Sequence, residues 1–480
     1  MLGALVLMAA AAWQQPQSCE ALKALTLPQV TITAAELVAA GQLPAHCRVA
    51  ALLKPSADSS IQMELWLPTD SWNGKFLAVG NGGWAGSLDT RAMQAGLRRG
   101  YATASTDTGH TGGSASFAVG HPEKLIDFAY RAMHEMTVHS KAMIAAFYRR
   151  APQLSYYQGC STGGRQGMME AQRYPDDFDA MVVGAPVYNM VHMNVSQVAL
   201  QVDMLRDPAR LVSPAQVKKF ADAVVNACDA RDGVKDGIVS EPRVCRVDPS
   251  VMACKAGDGG DCFTPAQVAN ARSAWAPATI KGKAVYPGRS PGFEEGWRIP
   301  TPGAPVNPLF NDMVRYVARQ DPNFDSTTFD FEADLARALK NGGFIEASSP
   351  DLAKFKARGG KLLLWHGWAD PGPAPENTIN YYSHAAKVSG GSQDDWMRLF
   401  LMPGVAHCGG GVGPDQADFL GAMERWREQG EAPAQITASR NAGRSGLTPM
   451  TRPLCPFPQI AKYKGTGSTD DAANFTCAAP

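Results

Sequence analysis

Three short runs hold the residue types needed for acyl transfer. Gly159-Cys160-Ser161-Thr162-Gly163 is a G-x-S-x-G run. In a nucleophile elbow this pattern turns a strand sharply into a helix and presents the serine hydroxyl at the turn. Asp370 follows the apolar run LLLWHGWA, and His407 follows LFLMPGVA. A serine hydroxyl is a weak nucleophile at its free pKa. An imidazole activates it, and a carboxylate holds that imidazole in the right tautomer. The roles assigned are Ser161 as nucleophile, His407 as general base and Asp370 as its carboxylate. A tetrahedral intermediate also needs two N–H donors. Thr162 supplies one, and the loop GNGGW the other, through Gly82 or Gly83. Each piece alone has a plainer meaning. G-x-S-x-G is often only a turn, Asp-Pro is a turn former, and His366 also stands at a strand end as a rival base.

The elements that must position these residues follow from periodicity. Strands are expected at 48–54, 60–68, at 74–86 running into a glycine-rich loop, 100–110, and LSYYQGCS up to the elbow. FDAMVVGAPV, GKLLLWHGWADP and MRLFLMPGVAHCGGG read as further buried strands with loops at their ends. Helices are expected near 124–150, 163–173, 375–388 and 415–428. Between about 188 and 347 the rhythm changes to helical stretches, Asp-Gly turns and Pro-rich loops. Strand–helix alternation with such an interruption predicts an α/β protein: an α/β-hydrolase core with a mostly parallel sheet and an inserted lid domain. The expected divisions are a signal-peptide remnant at 1–15, core at 19–187, lid at 188–347, and core again at 348–480. Ser…Asp…His is the chain order that this fold uses.

Lys+Arg and Asp+Glu both total 45 in 480 residues. That balance points away from nucleic acid and anionic membrane as partners. The apolar run Leu2–Ala12 is too short to span a bilayer and ends in small residues, as a signal peptide does, although it lacks a basic start. The expected location is secreted or periplasmic; the alternative for this run is a buried helix. Ten cysteines occur without a C-x-x-C, which disfavours zinc ribbons and thioredoxin-type motifs. In an exported chain they read as disulfides. Full pairing allows about 945 patterns, nine times the eight-cysteine figure. Sequence neighbours suggest Cys19–Cys47, Cys228–Cys245, Cys254–Cys262 and Cys455–Cys477, which leaves Cys160 and Cys408. These flank Ser161 and His407. If nucleophile and base touch, the two cysteines come within disulfide reach. Such a bond would add roughly 5 kcal/mol of chain-entropy stabilisation and restrain nucleophile against base. The other possibility, Cys160 as a second nucleophile, is weak because the residue before an elbow serine points away from the substrate.

GCSTGGRQG, HGWADP and PGVAHCGGG together resemble the tannase and feruloyl esterase family of α/β-hydrolases. The hallmark is one cysteine beside the serine and one beside the histidine, bridged to each other. The resemblance runs from about 19 to 480 and implies secreted hydrolysis of carboxylic esters with aromatic acyl groups such as feruloyl, caffeoyl or galloyl. The substrate would be a small aromatic ester, free or attached to plant polysaccharide or polyphenol. The same family includes a hydrolase of mono(2-hydroxyethyl) terephthalate, so a terephthalate half-ester is the alternative substrate. A catalytically silent binding protein on this scaffold is a further alternative, and a serine peptidase is disfavoured. The family also implies a structural Ca2+ held by CDARDGVKDGIVSEPRVC, with carboxylates from Asp229, Asp232 and Asp236 and carbonyls from Val234 and Ile238. From the residues alone, that run is equally a set of solvated Asp-rich turns. Selectivity is expected from the inserted segment. Tyr188, Phe310, Phe344 and Trp297 are candidate pocket walls; Arg289 and Arg298 read as solvated surface arginines.

Overall fold

The computed structural model describes residues 17–257, 260–292, 294–297, 305–390, 392–441 and 446–480. The apolar run at 1–15 and Arg298 lie outside them. Nine strands form one sheet: β1 (Val30–Val38), β2 (His46–Leu53), β3 (Ile61–Pro68), β4 (Lys75–Val79), β5 (Ala102–Thr106), β6 (Leu154–Cys160), β7 (Ala180–Gly184), β8 (Lys361–Gly367) and β9 (Met397–Met402). Their order is β1-β2-β3-β5-β4-β6-β7-β8-β9. The first three strands and β5 pair antiparallel; from β5 onward to β9 every pairing is parallel.

The parallel strands are short apolar runs because both sheet faces are covered. Alternation still sorts the residues by face. Phe76, Ala78, Tyr157, Leu362 and Leu364 join one core, with Met136 and Phe147 of α2 (Ala132–Tyr148) and Met168 of α3 (Thr162–Arg173). Leu77, Val79, Tyr156, Val182 and Leu363 face the other way, onto Met93 and Leu97 of α1 (Thr90–Arg98) and Met423 and Trp426 of α9 (Phe419–Gln429). Ser161, Asp370 and His407 all follow the ends of parallel strands, the usual ligand edge of such a sheet.

Between β7 and β8 the chain forms α4 (Met190–Arg206), α5 (Pro214–Cys228), α6 (Pro265–Trp275), α7 (Phe331–Gly342) and a small hairpin. Ser213 and Thr264 start α5 and α6 with full capping boxes, each followed by a proline in the first turn. Apolar residues of α4, such as Val191 and Val198, pack with Phe310, Met313 and Leu335, and with Trp84 and Phe128 of the core segment. Phe220, Cys228, Cys245 and Phe263 make a separate small core further out. After β8 comes α8 (Pro375–Ser389). Five disulfides are present, in the pairing expected from sequence, and no cysteine is free. No helix among the described residues is long and apolar enough to cross a membrane.

Candidate active site

Ser161 sits between β6 and α3 with φ 65° and ψ −123°. A non-glycine residue held at positive φ is strained and needs surroundings that enforce it. Here the flanking glycines do. A Cβ on Gly159 would lie 2.7 Å from the Gly163 carbonyl oxygen, and one on Gly163 would lie 2.8 Å from the Asn81 carbonyl oxygen. Only glycine allows the two arms of the turn, and the loop after β4, to approach this closely.

The elbow brings the three expected side chains together. His407 Nε2 is 2.7 Å from Ser161 Oγ. His407 Nδ1 is 2.6 Å from Asp370 Oδ2. Asp370 also accepts the Gly372 N–H on Oδ1 at 2.8 Å. Burial pushes the Asp370 carboxyl up, but the His407 charge and hydrogen bonds from His366 and His407 outweigh it and hold it at about 2. The carboxylate is therefore ionised at neutral pH, as an imidazolium partner requires.

His366 is not placed as a rival base. It lies behind Asp370, fully buried. Its Nε2 faces Asp370 Oδ2 at 3.2 Å and the Pro373 carbonyl at 3.1 Å, while Nδ1 meets Thr378 Oγ1 at 2.7 Å. Two acceptors at Nε2 fix the proton there, so His366 donates to Asp370 and Nδ1 accepts from Thr378. Cys160 and Cys408 are bonded, with Cα atoms 6.0 Å apart. Cys160 is thus no second nucleophile. Cys408, like Ser161, has positive φ (58°), so the bond joins the two strained turns that carry Ser161 and His407.

Thr162 is the first residue of α3, where an N–H has no intrahelical acceptor and points outward. Its hydroxyl donates to the Gly83 carbonyl at 2.9 Å, tying the glycine-rich loop to the elbow. Gln166 holds the same loop, accepting the Asn81 N–H and donating to Asn81 Oδ1, both at 3.0 Å. Gly83 has φ +56°, and a Cβ on Gly82 would meet nothing within 4 Å.

Beside the triad lies a cavity of about 70 Å³, walled by Val187, Met190, Met193 and Phe310 and bordered by Gly83, Ser161, Thr162 and His407. Of the four expected wall residues only Phe310 lines it. Tyr188 is buried against Tyr381, with ring centroids 4.2 Å apart. Phe344 packs at the rim of the inserted segment's core, and Trp297 stands 5.8 Å from the Arg289 guanidinium. The surface assignment of Arg289 is overturned. It is buried and lines the cavity. Its Nη2 donates to Gln197 Oε1 at 2.7 Å and its Nε to the Pro371 carbonyl at 3.2 Å. Burial pushes its pKa down to about 10. Nothing in local sequence marks it, because its burial depends on α4 and the Pro371 loop closing over it. Asn194, on α4 and 1% exposed, also lines the cavity, and its Nδ2 has no hydrogen-bond partner.

The Asp-rich loop stands apart, in the outer part of the inserted segment. Asp229 accepts the Asp236 and Gly237 N–H groups at 3.1 and 3.0 Å. Asp232 and Asp236 cap Val234 and Ile238. Asp236 Oδ2 meets Arg452 Nη2 at 2.6 Å. Burial pushes both Asp232 and Asp236 up, and the neighbouring loop carboxylates push them further while Arg452 pulls them down. Three carboxylates against one guanidinium leave unbalanced negative charge, which is the donor chemistry a hard cation takes. Among the described residues, the trio whose ligand atoms all fall within 4.8 Å is a different one, His134, Glu170 and Asp177; the loop aspartates are more widely spread.

A mostly parallel sheet with a serine elbow after β6, a buried acid after β8 and a histidine after β9 defines an α/β-hydrolase. The family model for tannase and feruloyl esterase matches residues 47–478. An uncharacterized esterase of Xanthomonas campestris pv. campestris is 36% identical over 99% of this chain and 93% of its own length. The mono(2-hydroxyethyl) terephthalate hydrolase of Piscinibacter sakaiensis is 33% identical, covering 96% of this chain and 92% of its own. The crystal structure of feruloyl esterase B from Aspergillus oryzae superimposes with a TM-score of 0.88 at 31% identity, over 96% of this chain and 99% of that one. This chain belongs to the tannase and feruloyl esterase family, and is a carboxylic ester hydrolase.

Proposed function

We propose that this enzyme hydrolyses esters of aromatic, chiefly phenolic, carboxylic acids through an acyl-enzyme on Ser161. The observation that carries the proposal is the continuous hydrogen-bonded line Ser161–His407–Asp370, at 2.7 and 2.6 Å. Ser161 Oγ attacks the ester carbonyl as His407 Nε2 takes its proton. Asp370 stabilises the imidazolium, and the N–H groups of Thr162 and the Gly82–Gly83 loop stabilise the oxyanion. His407 then passes the proton to the departing alkoxy oxygen, and water, activated by the same imidazole, releases the acid. The narrow cavity walled by Met190, Met193 and Phe310 suits a flat aromatic ring. Its polar groups are chiefly donors, the guanidinium of Arg289 and the free Nδ2 of Asn194, so the far end of the acyl group should carry acceptor oxygens.

Arg289 favours a second reading, the terephthalate-type half-ester. No carboxylate among the described residues pairs with it, and a distal substrate carboxylate would. Kinetics on matched ferulate, caffeate, coumarate, gallate and terephthalate esters decide between the two. If Ser161→Ala hydrolyses them as fast as the native enzyme, or a fluorophosphonate fails to label Ser161, the mechanism is wrong and a silent binding protein returns. Arg289→Leu should cost the half-ester at least about tenfold more in kcat/KM than the ferulate if the second reading holds, since it strands an unpaired charge.

Two further proposals accompany this one. The five disulfides and the lack of free thiols support an oxidising, extracellular or periplasmic location. A structural Ca2+ in the inserted segment would be held by Asp229, Asp232 and Asp236 with the carbonyls of Val234 and Ile238; it would supply charge balance to the loop and take no part in the reaction.

A further inference from the structure

The helix that begins just after Ser161 ends beside a bare carboxylate. Glu170, near the C-terminal end of α3, is 1% exposed, and neither of its oxygens accepts a hydrogen bond from the described residues. Buried polar atoms are almost always paired, so a carboxylate of this kind calls for a cation or a proton. One ligand atom each from Glu170, His134 on α2 and Asp177 in the turn before β7 lie within 4.8 Å of one another. Inside this trio, His134 Nδ1 is 2.6 Å from Asp177 Oδ2. Tyr174 holds the imidazole flat, with ring centroids 3.7 Å apart and planes 9° apart. The Lys141 ammonium is close, but it is turned to the Asp177 main-chain carbonyl. One side of the trio is open: 27% of the His134 side chain and 10% of that of Asp177 are exposed. An ion can therefore enter past the imidazole, and Glu170 closes the bottom.

We propose that His134, Glu170 and Asp177 form a second metal site, for a first-row divalent ion of the Zn2+ type, which clips α2 and the turn before β7 to the far end of the elbow helix. The donor set selects the ion. Ca2+ takes oxygen ligands, about six to eight of them. One imidazole nitrogen with two carboxylate oxygens suits Zn2+ and its neighbours. Ligand atoms about 2.0–2.1 Å from a tetrahedral Zn2+ stand roughly 3.3 Å apart. Rotation of Glu170 and a slight opening of the His134–Asp177 contact bring the trio to that spacing, with water in the fourth position on the open side. Two carboxylates that now face each other would then face a dication. The rival occupant is a proton shared by Glu170 and Asp177, since burial and the Asp177 charge push the Glu170 carboxyl well up.

The test uses the full chain, stripped of metal and then held in excess Ca2+ so that the Asp-rich loop does not respond. Zn2+ should raise Tm, and Co2+ in its place should give the visible absorption of a four-coordinate site. His134→Phe keeps a ring on Tyr174 and removes the nitrogen. Glu170→Gln keeps the size and removes the charge. Losing a partner that merely supports a ligand costs roughly 10–100-fold in metal affinity. Losing a ligand should therefore weaken Zn2+ binding by at least about a hundredfold in each variant, and abolish the Co2+ absorption. His134 is part-exposed, so His134→Phe decides the matter if Glu170→Gln does not fold. A native Tm indifferent to Zn2+ overturns the proposal and leaves the shared proton between the carboxylates. A Zn2+ response of native size in His134→Phe overturns it too, because the ion then sits elsewhere.

Discussion

Asp370 and Asp236 are both buried aspartates near a disulfide, and their carboxyls move in opposite directions. Asp370 is held down at about 2 because two imidazoles and a backbone N–H face it. Asp236 and its neighbour Asp232 are pushed up, because burial and the other loop acids outweigh Arg452. The catalytic centre thus meets its carboxylate with donors of its own, and the loop sets carboxylates beside one another. The closures differ too. Cys160–Cys408 spans 248 residues, and Cys228–Cys245 only 17. One fixes two distant turns against each other; the other only cinches a local loop.

The largest effect should come from Asp370→Asn. The substitution keeps the shape but removes the charge that steadies the imidazolium and sets its tautomer. We expect kcat to fall about 10⁴-fold while the protein still folds; a loss under tenfold would show that Asp370 is not the partner of His407. Next, Cys160→Ser with Cys408→Ser removes the long closure. Chain entropy bounds the loss at roughly 5 kcal/mol, against about 3 for the short loop. Denaturant melts of the two double variants should rank in that order, and kcat should drop only for the Cys160–Cys408 pair.

The acidic loop is tested by chelation and pH together. A carboxyl raised in the folded state binds protons more readily there than in the unfolded chain. Metal-free protein should therefore lose stability as pH rises above the ordinary aspartate value of about 3.9. Asp370, depressed to about 2, has the opposite sign: its contribution is present above that ordinary value and fades as pH falls toward 2. If the loop binds Ca2+, the ion should raise Tm most at neutral pH and least near pH 4, the stabilisation reaching about 3–4 kcal/mol at a few hundred times its Kd. A Tm indifferent to EDTA at pH 7.5 would remove the ion from the proposal.

Much of the catalytic end was legible because its constraints are local. Gly159, Ser161 and Gly163 announce the elbow by steric need, and Asp370 and His407 each follow an apolar run. The nine-stranded order was less so. β1, VTITAAELV, mixes strand formers with Ala, Glu and Leu, and its pairing with β2 decides the matter. The C-terminal strands Ile436–Arg440 and Met450–Leu454 were not expected either; they are short and buried mainly by tertiary packing. Arg289 failed for a related reason. Nothing within a few residues says that an arginine will be buried when its partners, Gln197 and Pro371, lie 92 residues before it and 82 after.

The smallest expected effect concerns His366, which shows how the chain keeps Asp370 ionised without an ion. Its Nε2–H donates to Asp370 Oδ2 from the side opposite His407, and Thr378 fixes the tautomer. A hydrogen bond to a charged group is worth about 1.5–3 kcal/mol, but Gly372 and His407 remain, so the loss should fall at the low end. We expect His366→Leu to cut kcat about tenfold, which is about 1.4 kcal/mol, with KM little changed. With one donor gone, the Asp370 carboxyl should rise from its low value, and the acid-induced loss of stability should begin at higher pH. His366→Asn can restore a donor in a smaller volume and should recover part of both effects. If Leu and Asn behave alike, His366 fills space and does no more. If Asn alone recovers activity, His366 is a positioning residue acting through Asp370, and the contrast with the loop sharpens: one buried aspartate kept charged by donors of the chain, the others crowded by one another and raised.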